Sequence, residues 1–162
     1  MRTPQPKLAL GEPAHWRRSR DIAEPVSDSA PARAAGISQR ADGAIFREHA
    51  DALFGDAPDG ITLQVGGRIV YANRRMAELI GHGDPAGLLG LSSLHFYSED
   101  DLGPVLARLQ STFFGRPATP ARHQLRRLDG TKIQVEATCL LLSLSCARVL
   151  IEIVRSIGER FN

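Results

Sequence analysis

The side chains of this 162-residue sequence that could carry catalysis or hold a metal are five histidines, two cysteines and the acidic run Glu99-Asp100-Asp101. Cys139 and Cys146 are too few for a disulfide framework or a four-ligand zinc site. His15, His49, His82, His95 and His123 are scattered along the sequence. Glu99-Asp100-Asp101 has the charge to hold a hard cation. Acidic residues at the positive end of a helix dipole explain the run better, so no metal site is expected. Gly81-x-Gly83 followed by Gly87 has the look of a dinucleotide loop, but it follows a helical pattern and its third glycine is misplaced. No phosphate-binding Gly-Lys-Ser/Thr and no nucleophile elbow occur. The residues point away from an enzyme.

Charge and composition narrow the classes further. Residues 1–40 hold seven Lys/Arg against four Asp/Glu, and the remainder thirteen against fourteen. The overall charge of +2 therefore sits in the leading segment. A nucleic-acid-binding face would show a clustered basic stripe, and none is present. At this length, with 43% hydrophobic residues, one buried core fits and two full domains do not. Apolar runs such as Leu140-Leu141-Leu142 are far too short to span a bilayer. Arg17-Arg18 resembles an export signal, yet Asp21, Glu24 and Pro25 stand where an apolar stretch is required. The expectation is a cytoplasmic protein with no nucleic-acid or membrane partner. Eighteen arginines to two lysines read as coding bias of a GC-rich bacterial source.

The elements that must position any site follow from periodicity. Five of the ten prolines fall in residues 1–40, with no repeating apolar face, which reads as a disordered tail. Trp16, beside Arg17, Arg18 and Arg20, is either a docking motif or an unselected tail residue. Ile45, Phe46, His49, Ala50, Leu53 and Phe54 recur at helical spacing and Gly55 stops them. Ile61, Leu63 and Val65 alternate, and Gly66-Gly67 turns the chain into a second strand over residues 68–72. Asn73 is placed to cap a helix carrying Met76, Ala77, Leu79 and Ile80, with Gly81 ending it. After a Gly/Pro-rich loop, Asp100 or Asp101 opens a helix with Leu102, Val105, Leu106, Leu109, Thr112 and Phe113 on one stripe and Gly115 at its end. Strands follow over residues 123–128, 132–142 and 149–157, the first two joined at Asp129-Gly130. Ile133, Val135, Ala137 and Cys139 share a face, and His123 shares a parity with Leu125. Strands divided by a helical block predict an α+β domain with an antiparallel sheet.

This order resembles a PAS domain, the small sensory module of signalling proteins, over residues 44–160. Ala57-Pro58-Asp59-Gly60-Ile61 is similar to the family's opening into the first strand, and Gly67-Arg68-Ile69-Val70-Tyr71-Ala72-Asn73 to its second strand and helix cap. Leu79-Ile80-Gly81-His82, Leu88-Leu89-Gly90, Ser98-Glu99-Asp100 and Arg126-Arg127-Leu128-Asp129-Gly130-Thr131 follow in the family's order. Gly60 and Gly67 are expected at positive φ. The resemblance implies a five-stranded antiparallel sheet with short helices on one face, enclosing a pocket. The expected division is a disordered tail over 1–40, an amphipathic helix over 41–56 and the PAS domain over 57–162. The family's common ending of Asp-Ile-Thr is here Ser156-Ile157-Gly158, which puts output by that route in doubt, and no effector follows.

The resemblance also frames the ligand. Met76, Leu79, Ile80, Leu125, Ile133, Val135, Ala137 and Cys139 are the expected pocket lining, with His123 either turned inward toward a ligand or a hydrogen-bonded core residue. Each apolar member also serves as ordinary core. Cys139 is expected as a buried small hydrophobe and Cys146 as a semi-exposed loop thiol. His82 and His95 are expected in loops. The cofactor is unknown. A light-oxygen-voltage flavin is disfavoured, because its cysteine-bearing helix motif is missing, and haem is disfavoured, because the long helix lacks a histidine. Ile45, Phe46, Leu53 and Phe54 are the expected dimer interface if the leading helix does not pack on its own sheet. The expected function is a non-catalytic sensory or interaction module that binds a small ligand or dimerises, as a homodimer or with another PAS or signalling protein. The alternatives are the sensor part of a two-component histidine kinase and a haem- or flavin-bearing sensor.

Overall fold

The computed structural model of the chain describes residues 41–144 and 147–158, with side chains from Phe46 onward. The expected tail, Trp16 and Cys146 lie outside the described residues.

The hairpin forms where the sequence turns on two glycines. β1 (Gly60–Val65) and β2 (Arg68–Ala72) are joined by Gly66 and Gly67 at φ 58° and 75°, left-handed values that suit a two-residue hairpin turn. Helix α1 (Ala41–Phe54) precedes them. Helix α2 (Arg74–Ile80) follows and ends at Gly81, which adopts φ 76°. Three short 3-10 turns, Pro85–Leu88, Ser93–Phe96 and Glu99–Asp101, lead into helix α3 (Leu102–Phe113). β3 (Ala121–Arg126), β4 (Lys132–Ser143) and β5 (Arg148–Ser156) complete the chain. The five strands form one antiparallel sheet in the order β2-β1-β5-β4-β3.

Asn73 fastens the start of this arrangement. Its side-chain oxygen accepts from Met76 N and Ile61 N, each at 2.9 Å. Its Nδ2 donates to the carbonyls of Phe54 and Asp59 at 3.0 and 2.9 Å. The expected helix cap is therefore also the tie between α1, β1 and α2, with every polar atom of the amide used.

The sheet separates two apolar clusters. On the inner face, Met76, Leu79 and Ile80 of α2 pack with Leu88, Phe96 and Val105 against Leu125, Val135 and Val154. Fully burying each such side chain is worth about 1.5–3 kcal/mol, so this layer dominates stability. On the outer face, Ala50 of α1 packs with Leu63, Val65, Val70, Tyr71 and Val149, and Phe46 and Phe54 close around it. That is why β1 is buried at every position, while β4 alternates. Among the described residues, no helix is long and apolar enough to cross a membrane.

Three local expectations change. Gly60 does not take a positive φ; it is needed because a Cβ there would stand 2.9 Å from Leu79 Cδ1 and 3.0 Å from Met76 Sδ. Phe113 belongs to the exposed side of α3, since Val105 and Thr112 hold its buried stripe. Asp101 precedes α3 but makes no side-chain cap; its carboxylate turns to β3 instead.

Candidate functional site

Strand alternation places polar side chains at the middle of the inner face. Thr62 and Gln64 of β1 point there, and the antiparallel register sets Thr62 opposite Glu152 on β5 and Glu152 opposite Cys139 on β4. The second 3-10 turn adds Ser93 and, just beyond it, Tyr97. An isolated bridge to Leu125 fixes Tyr97 against the sheet, and Ser98 N donates to Gln124 O at 2.9 Å.

These groups form one buried network centred on Glu152, which is 0% exposed. Tyr97 OH donates to Glu152 Oε1 at 2.6 Å, and Gln64 Nε2 donates to Oε2 at 2.8 Å. Gln64 Nε2 also donates to Thr62 Oγ1 at 3.1 Å, and Ser93 Oγ donates to Gln64 Oε1 at 3.3 Å. Both carboxylate oxygens are thus satisfied, as a buried carboxylate requires. From α3, Arg108 reaches over the sheet and its Nη1 donates to the Ala137 carbonyl.

Electrostatics follow the geometry. Burial and then the neighbouring Glu152 carboxylate push the Tyr97 hydroxyl well above its ordinary range. Burial first, and Glu152 second, push the Cys139 thiol up to about 12, with Arg108 acting in the opposite direction. A thiol held neutral is the unreactive form. A second polar pair adjoins the network: His123 Nδ1 lies 3.5 Å from Asp101 Oδ1, and the His123 ring meets the Tyr97 ring edge-on at 5.6 Å. Asp101 Oδ2 accepts from Gln124 N at 2.7 Å and from Ser98 Oγ at 3.1 Å. Among the described residues the arrangement is a set of fixed hydrogen-bond donors and acceptors around one buried carboxylate.

The residues expected to line a pocket do converge. Met76, Leu79, Ile80, Leu125, Val135 and Ala137 meet in the inner core, Ile133 packs at its margin, and Cys139 and His123 are buried on the same face. His95 is buried in the second 3-10 turn rather than standing in an open loop, while His82 accepts from Asp84 N in a partly exposed turn. Sequence reasoning missed Thr62, Gln64, Ser93, Tyr97, Arg108 and Glu152. A signal was present: Glu152 and Gln64 are lone polar residues inside apolar runs. Of the dimer candidates, Phe46 and Phe54 pack on the protein's own sheet. Leu53 is 75% exposed, and the Ile45 side chain lies outside the described ones. The helix thus does pack on its own sheet.

Two further motif glycines sit in left-handed turns. Gly90 has φ 80° and donates to Ile69 O at 2.8 Å. Gly130 has φ 86° beside Asp129, whose Oδ1 accepts from Thr131 N at 2.8 Å.

Comparison with known proteins agrees with this fold. Residues 49–117 match the family model described as PAS domain. No curated protein matches the chain. Among solved structures, the PAS domain of an HTR-like protein from Haloarcula marismortui is 24% identical, with a TM-score of 0.53 over 70% of this chain and 93% of that one. The PAS domain of a protein from Colwellia psychrerythraea is 18% identical, with a TM-score of 0.61 over 72% and 99%. A third, the PAS domain in complex with ethanol of a LuxR-family transcriptional regulator from Burkholderia thailandensis, is 18% identical, with a TM-score of 0.56 over 67% and 96%. Residues 49–117 thus match the PAS domain family, and the described residues share the five-stranded PAS fold of these solved structures.

Proposed function

We propose that this domain is a non-catalytic sensor whose inner face recognises a small molecule through the Glu152 network and whose output passes by protein contact. The observation that carries the reading is a fully buried carboxylate, held by Tyr97 and Gln64, at the centre of an otherwise apolar layer. Buried ionisable groups destabilise a fold unless they are paired, and they concentrate where function needs them. That a PAS domain of similar fold was solved in complex with ethanol supports a small ligand. The partner is a second copy or another PAS or signalling protein. Exposed Leu53 on α1, and Leu140 and Leu142 on the outer face of β4, are the apolar positions such a contact would cover.

The test is to purify the full chain, denature it and identify released small molecules by mass spectrometry, with light scattering for its mass. A stoichiometric small molecule whose retention is lost in Glu152→Gln supports the reading. An empty protein that binds nothing from a small-molecule panel would end it.

A further inference from the structure

Arg108 is left with an unusual deficit. Its Nη1 is used on the Ala137 carbonyl, but Nε and Nη2 are shielded from solvent and have no hydrogen-bond partner among the described residues. No carboxylate among the described residues lies within ion-pair distance of it. Glu152 does not answer the deficit: its oxygens are held by Tyr97 and Gln64 and make no hydrogen bond or ion pair with Arg108. A shielded guanidinium with two idle N–H groups is destabilising until something accepts from them.

The identity of the idle atoms is informative. Nε and Nη2 form one edge of the planar guanidinium, with their N–H bonds parallel. That edge matches the two oxygens of a carboxylate in a side-on, bidentate pair. Arg108 is anchored on the carbonyl of Ala137, an inner-core residue of β4 two positions before Cys139, which stands opposite Glu152, so the edge lies beside the same inner-face compartment. Glu152 is itself a carboxylate there, which selects against an occupant with a second negative charge. Val105, one turn earlier on α3, and Ala137 supply an apolar flank for a short hydrocarbon tail.

We infer that the ligand is a small monocarboxylate, its two oxygens on the Nε and Nη2 edge of Arg108 and its apolar end against the inner core. This rests on the sensory reading above and names the ligand class for it.

The experiment titrates the full chain by calorimetry at pH 7 with butyrate, butyramide, butanol and inorganic phosphate. Butyrate should bind about tenfold or more tightly than butyramide, the margin expected of a charge-assisted pair. Phosphate should bind more weakly than butyrate. Arg108→Gln should remove the margin, and Arg108→Lys, which keeps the charge but has no side-on edge, should reduce it. Circular dichroism reports whether each variant folds; should Arg108→Gln unfold, Arg108→Lys and the wild-type selectivity decide. Equal affinities for butyrate and butyramide, a margin that survives in Arg108→Gln or is undiminished in Arg108→Lys, or phosphate binding more tightly than butyrate would overturn the assignment of a carboxylate to this edge and leave the sensory reading standing. Failure of all four probes, with no small molecule released from the purified protein, would overturn both.

Discussion

Cys139 on β4 and Glu152 on β5 stand directly opposite each other on the inner face, a thiol and a carboxylate paired across neighbouring strands. Burial and that neighbour raise the thiol from its ordinary 9.0 to about 12. Its folded form should therefore resist alkylation at pH 8. With Cys146→Ser removing the second thiol, iodoacetamide should label Cys139 only at the rate of unfolding. Because the folded pKa is raised, the thiol's contribution to stability is whole below pH 9 and is lost as pH rises toward 12. Rapid labelling of the native protein at pH 8 would contradict this placement.

Tyr97→Phe tests the network from its other side. The ring and its packing remain, but Glu152 Oε1 loses its 2.6 Å donor. Leaving a buried carboxylate oxygen unsatisfied should cost about 1–3 kcal/mol in urea unfolding. Tyr97→Phe with Glu152→Gln should cost less than the sum of the two single changes, because the second removes the charge that the first strands. Strict additivity would mean that the two side chains do not act as a unit.

Two glycines should fail for opposite reasons. At Gly60 the backbone is not left-handed, but a Cβ meets Leu79 and Met76, so Gly60→Ala should cost about 1–3 kcal/mol by overpacking. At Gly67 nothing lies within 4 Å, and the cost comes only from φ 75°. Gly67→Asn should therefore be tolerated better than Gly67→Ala, since asparagine accepts that region. Gly60→Ala should be rescued in part by Leu79→Ala, which clears the space. Thermal unfolding of the four variants decides; no rescue at Gly60 would argue against the clash.

Much of the fold was legible because it depends on local signals. Gly81 and the Gly66-Gly67 turn act through their own backbone, the Asn73 side chain caps a helix amide three residues away, and period-two alternation assigned the inner face of β4 correctly. The polar site was not, because its members come from four separate elements. Nothing near Glu152 in sequence reveals that Gln64, 88 positions away, and Tyr97, 55 positions away, will meet it. Only the register of β1 on β5 and the bridge at Tyr97 bring them together. α1 was ambiguous for a related reason: its apolar stripe fits a partner or its own sheet equally well, and the exposed Leu53 beside packed Phe54 divides the two uses.

Asp101 gives the clearest dependence on pH. Burial alone would raise its pKa, but the Gln124 amide, the Ser98 hydroxyl and His123 together outweigh burial and hold it below 3.8. The folded state thus favours the charged carboxylate more than the unfolded chain does. The stability this confers is complete above about pH 5 and is lost as pH falls through the depressed folded value. Asp101→Asn should be less stable than wild type at pH 6, because the amide is a weaker acceptor for Gln124 N–H and carries no charge for His123. The gap between the two proteins should narrow steadily in urea titrations from pH 5 to pH 3, as the wild-type carboxylate begins to protonate. A gap that stays constant over that range would show that the Asp101 carboxylate is not what joins the start of α3 to β3.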